Sequence, residues 1–112
     1  MDVLLTEFTA EITVVTPKGR FDAFSAPSMR ERFDELLSNG NNKFVVDLSQ
    51  ITFLDSTGMA VLVSLLKRAR YANGDTKLVW PIEPAAKRIL HLTRFDHVFE
   101  ITETTDVALK KF

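Results

Sequence analysis

The chain has no cysteine, so disulfides, thiolate metal centres and cysteine nucleophiles are excluded from its chemistry. It has no surplus of charge of either sign. Fourteen Lys and Arg stand against fifteen Asp and Glu, a net charge of −1, which gives no electrostatic ground for a nucleic-acid or acidic-membrane partner. Glycines number only four and form no phosphate-cradling loop, which argues against kinase chemistry of its own. No apolar run approaches the roughly 20 residues of a membrane-spanning helix. The start, Met1 to Glu7, lacks a basic segment followed by an apolar one, so no signal peptide is read there and a cytoplasmic location is expected. The two histidines, His91 and His97, are six apart and share no acid–base constellation, so no metal site and no cofactor is assigned. Ser56, Asp47 and Asp55 have no His or Lys placed beside them as a base, so the chain is not expected to be an enzyme.

What is present is an ordinary folding composition. Of 112 residues, 46% are hydrophobic and 26% charged, which predicts one globular domain spanning 1–112 rather than a disordered chain. Val3 to Phe8 and Glu11 to Thr16 are short β-branched runs joined around Thr9-Ala10, which predicts a hairpin, with Pro17-Lys18-Gly19 ending its second strand. Ser25 is the expected N-cap of a first helix, with Pro27 in its first turn. Met29, Phe33, Leu36 and Leu37 share its apolar face, and Gly40 follows its end.

Phe44 to Leu48 reads as a buried strand, and Ser49 to Thr52 as a link. A helix is expected from the turn after that link to about Tyr71. Thr76 to Trp80 reads as the next strand, Pro84 as the opening of another helix, Val98 to Ile101 as a short final strand, and Thr104 or Thr105 as the cap of a last helix. The order ββαβαβαβα predicts an α/β fold: a mixed sheet with an N-terminal hairpin, parallel central strands and right-handed crossovers.

The turn Leu54-Asp55-Ser56-Thr57-Gly58-Met59 is the candidate functional element. It joins strand to helix and places three side-chain oxygens at a helix start, any of which is able to cap the helix. A phosphate on Ser56 would meet free N–H groups and the positive end of the helix dipole, while adding roughly −1.5 to −2 charges to the surface. Taken alone, Asp-Ser-Thr-Gly is ordinary capping chemistry. From Met59 to Leu66 every residue except Ser64 is apolar, more than one buried stripe requires. Two readings stay open: a neighbouring element covers Met59, Val63 and Leu66, or they face a partner.

These stretches together resemble the STAS domains, specifically the stand-alone bacterial anti-sigma factor antagonists. Gly19-Arg20-Phe21-Asp22 with Ser25-Ala26, Val45-Val46-Asp47-Leu48-Ser49, Phe53 to Met59, and Pro84 to Leu92 followed by Phe95 match the family's segments in order and spacing. The resemblance implies helices packed mainly on one face of the sheet. It implies a non-enzymatic regulator whose partner is an anti-sigma factor with a GHKL-type serine kinase fold, and whose unphosphorylated form frees the sigma factor. It implies Ser56 as phosphoacceptor, with Thr57 the runner-up, and a PP2C-type phosphatase that reverses the modification. The partner surface expected from it is Asp22, Asp55, Ser56, Thr57, Gly58, Met59 and Val63. By its residues alone Asp22 reads equally well as a turn aspartate. The alternative function is a STAS scaffold or accessory subunit of a sensor or lipid-transport complex.

Overall fold

The structure, a computed structural model, describes residues 1–7 and 12–112. In chain order the elements are β1 (Asp2–Glu7), β2 (Ile12–Phe21), α1 (Ala26–Ser38), β3 (Lys43–Asp47), β4 (Ile51–Leu54), α2 (Ser56–Tyr71), β5 (Asp75–Val79), α3 (Pro84–Leu92), α4 (Phe95–Val98), β6 (Ile101–Thr102) and α5 (Thr105–Leu109). The expected alternation is present, with β4 and α4 as additional short elements. β1 pairs antiparallel with β2, from Asp2 opposite Lys18 to Glu7 opposite Thr13. The expected hairpin connection at Thr9-Ala10 lies outside the described residues. Among the described residues six strands form the sheet, five in the order β1-β2-β3-β5-β6 with β4 pairing β2 off that path, and all pairings after the hairpin are parallel.

The second strand does not end at Pro17 but continues to Phe21. Its first half pairs with β3 up to Val15, and its second half pairs with β4 from Gly19. The Gly19 N–H donates to the Gln50 carbonyl, so by the two-residue period the Pro17 nitrogen points to that same side. There it faces the gap between the two ladders, where no parallel neighbour asks for the missing N–H. The final strand also differs from expectation. Phe95–Val98 is helical, and strand pairing begins at Ile101.

Phe44, Val45 and Val46 of β3 are all buried, because the strand is covered on both faces. On one face Val15, Phe44, Val46 and Leu78 meet α1, α2 and α3 through Met29, Phe33, Leu62, Leu65 and Leu90. On the other face, among the described residues, only α5 docks, through Ala108 against Val14, Val45 and Val79. Helices therefore lie mainly on one face. Among described residues the open edge of the first helix is closed by Asn39 and Gly40, the latter at φ +90° as a C′ glycine.

Candidate functional site

Asp55 settles which oxygen caps α2. Its backbone is extended, and its Oδ1 accepts from the Gly58 N–H at 3.0 Å. Its Oδ2 accepts from the Ala23 N–H at 3.2 Å, across from a loop 32 residues earlier. One carboxylate thus ties the β4–α2 turn to the β2–α1 loop. With capping assigned to Asp55, Ser56 is the first helical residue and is exposed, and its Oγ has no hydrogen-bond partner among the described residues. Thr57 is half-buried.

Gly58 is buried where α2 presses on the end of β2. A Cβ there would stand 2.5 Å from the Phe21 carbonyl oxygen and 2.9 Å from the Phe21 ring. Its role is close approach of helix to strand.

The β2–α1 loop is organised by Asp22. Its Oδ1 accepts from the Phe24 and Ser25 N–H groups at 3.0 and 3.2 Å, and its Oδ2 accepts from Arg20 Nε at 3.0 Å. Ser25 does not cap α1 with its side chain as expected. Its Oγ instead donates to the Arg20 carbonyl at 2.8 Å and accepts from the Asp22 N–H. Burial pushes the Asp22 carboxyl up, but the Arg20 hydrogen bond, the Ser25 and Phe24 amides and the Arg20 charge outweigh it, and its pKa lies below the ordinary value. The Arg20 guanidinium also sits 4.0 Å over the Phe53 ring.

The loop of Asp22 and the start of α2 with Asp55, Ser56, Thr57 and Gly58 are therefore joined by a hydrogen bond. Met59 and Leu66 do not present a surface. They are 8% and 3% exposed, inside the core, and Val63 is half-buried against it. α1 covers one side of α2, where Phe33 and Asp34 meet Val61, Leu65 and Arg68. The extra apolar residues of α2 are largely accounted for by this second neighbour. The outward face beside Ser56 consists of Ala60, Val63, Ser64 and Lys67.

Sequence reasoning missed Phe24, which is 95% exposed at the tip of the Asp22 loop. A single aromatic in a loop carries no periodicity, and only its position relative to Asp55 singles it out. It also separated two residues the structure brings to one carboxylate. His91 Nδ1 lies 3.4 Å and His97 Nε2 4.0 Å from Asp96, with His91 stacked on Trp80. Among the described residues no group of three such side chains is arranged to hold a metal ion, and no helix is long and apolar enough to cross a membrane.

Comparison with known proteins places these features in context. The STAS domain family model matches residues 4–108. The anti-sigma-B factor antagonist of Bacillus subtilis is 28% identical over 107 residues, covering 96% of this chain and 85% of that one. An anti-sigma factor antagonist from Mycobacterium paratuberculosis superposes with a TM-score of 0.86 at 27% identity, covering 98% of this chain and 92% of that one. The Bacillus cell-fate determinant SpoIIAA in its phosphorylated form shares the fold, with a TM-score of 0.75 at 17% identity over 98% of each chain.

Proposed function

The chain belongs to the STAS domain family, and from that we propose that it is an anti-sigma factor antagonist of a bacterial partner-switching pathway. In its unphosphorylated form it binds an anti-sigma factor with a GHKL-type serine kinase fold and so frees the sigma factor. The kinase transfers phosphate to the Ser56 oxygen, the modified chain no longer binds, and a PP2C-type phosphatase restores it. The chain is the acceptor in this chemistry, not the catalyst.

One observation carries the reading. Ser56 is exposed at the first residue of α2, and its hydroxyl is released from capping duty by Asp55. Its modification therefore breaks no hydrogen bond of the fold. The names of the relatives and the existence of a phosphorylated form of SpoIIAA support the same reading. The half-buried Thr57 is the less accessible of the two hydroxyls. A phosphate at an interface formed around Ser56 leaves an anion desolvated and unpaired, a cost of several kcal/mol, or on the order of a hundredfold or more in affinity.

Intact-mass measurement after incubation with the cognate kinase and ATP tests the acceptor. One phosphate on wild type and on Thr57→Ala, and none on Ser56→Ala, is the expected pattern. Modification that survives Ser56→Ala reassigns the acceptor. Equal affinity of wild type and Ser56→Asp for the kinase ends the switch, and recovery of a membrane assembly instead of a kinase favours the scaffold function.

A further inference from the structure

Phe24 exposes 95% of its surface, yet the turn that carries it is closely hydrogen-bonded. The Phe24 and Ser25 N–H groups donate to one Asp22 oxygen, the Asp22 N–H donates to Ser25 Oγ, and the Ala26 N–H donates to the Asp22 carbonyl at 2.8 Å. The Ala23 N–H, one residue before Phe24, is held by the Asp55 carboxylate that caps the helix of Ser56. The ring therefore stands on the same frame as the phosphoacceptor. The hydrogen bonds hold the backbone of the turn, and its ring stands in water.

An exposed aromatic on a hydrogen-bonded turn loses little backbone freedom on binding and gains a large apolar contact, the usual profile of an interface anchor. Beside it an open hollow of about 550 Å³, between Met1, Lys18, Arg20 and Asp22, leaves room for the wall of a partner's pocket. We propose that Phe24 is the aromatic anchor for the anti-sigma factor, seated in an apolar pocket of that partner next to the point where its kinase site meets Ser56. This rests on the function proposed above. The occupant is the kinase rather than a second copy of this chain, because the same face carries Ser56, and a self-association through Phe24 would cover the hydroxyl that the kinase must reach.

The test is titration of the purified cognate anti-sigma factor with wild type, Phe24→Ala, Phe24→Tyr and Tyr71→Ala. Tyr71 is the control. It is 94% exposed but ends α2, about 22 Å along the helix axis from Ser56. Phe24→Ala is expected to weaken binding about 30-fold, Phe24→Tyr to retain most of it, and Tyr71→Ala to leave it unchanged. In phosphorylation kinetics Phe24→Ala is expected to raise KM with little change in kcat. Phe24→Ala within twofold of wild type overturns the anchor while leaving the Ser56 switch intact. Equal losses in Phe24→Ala and Tyr71→Ala overturn it as well, since the effect is then not local. Wild type that fails to bind at all removes both the switch and the anchor.

Discussion

A single methyl group probes the packing beneath the turn from β4 to α2. At Gly58 an added Cβ meets a backbone carbonyl of β2, which has no rotamer with which to move aside. The gain in helix propensity from Ala is outweighed by the strain of separating α2 from β2. Gly58→Ala is expected to lose about 1–3 kcal/mol of stability in urea unfolding, with an unchanged slope. The strand that Gly58 approaches was not legible in the sequence, because Pro17-Lys18-Gly19 read as the end of β2 and Phe21 lies beyond it. Asp22 makes a second case. Its two roles, turn aspartate and partner contact, were indistinguishable by sequence, and the structure shows the first directly. Because its native pKa lies below the ordinary aspartate value of 3.8, the unfolded chain binds more protons in the acid range. The stability it contributes is complete above that value and is lost as pH falls through it toward the lower native one. In Asp22→Asn the acid-side decline of stability, followed by denaturant unfolding from about pH 5 downward, is expected to be shallower than in wild type.

Among the elements, those with long periodic patterns were legible, and those whose existence depends on a distant partner were not. α1, α2 and α3 carry apolar faces that the spacing alone reveals. β4 is four residues long with only its end residues buried, and it is a strand because the end of β2 lies beside it. Pro17 inside β2 obeys the same logic: the local rule says stop, and a gap between two ladders removes the reason for it. α5 lies at the other extreme. Five residues do not hold a helix in water, so it persists by docking. Its anchors are few: Ala108 against three valines with Leu109 beside it, a Thr105 hydroxyl donating to Asp47 at 3.3 Å, and the Thr104 cap on the Val107 N–H at 3.2 Å. Native-state hydrogen exchange is expected to find the Ala108 amide opening well before those of Val45 and Val46, in a local event that leaves the sheet protected. Exchange of all three at one common rate would mean that α5 belongs to the global folding unit.

At the scale of the whole molecule, the proposed recognition face is separated from the core that gives stability. The core lies between the sheet and α1, α2 and α3, whereas the face with Ser56, Phe24 and the Asp55 carboxylate is assembled from loops at the end of β2 and β4. The fold was legible almost throughout, since burial patterns repeat along the chain. The face was legible only in part, because it depends on which loops meet. This division sets what the proposed phosphorylation of Ser56 would do. At the first residue of α2 the phosphate gains from the helix dipole about 0.3–1 kcal/mol. It is opposed by the neighbouring Asp55 charge, and it displaces no side-chain hydrogen bond. The two effects nearly cancel in the free protein, so the melting temperature is expected to shift by no more than about 5 °C in either direction. For the proposed anti-sigma factor partner no such cancellation is expected, because burying a phosphate at an interface around Ser56 costs its hydration, and a loss on the order of a hundredfold is the expected outcome. Calorimetric melting and titration on the same phosphorylated preparation check the pair of values. A large drop in melting temperature with the lost binding would make the switch one of unfolding, and the physics of the Ser56 site argues for the other outcome.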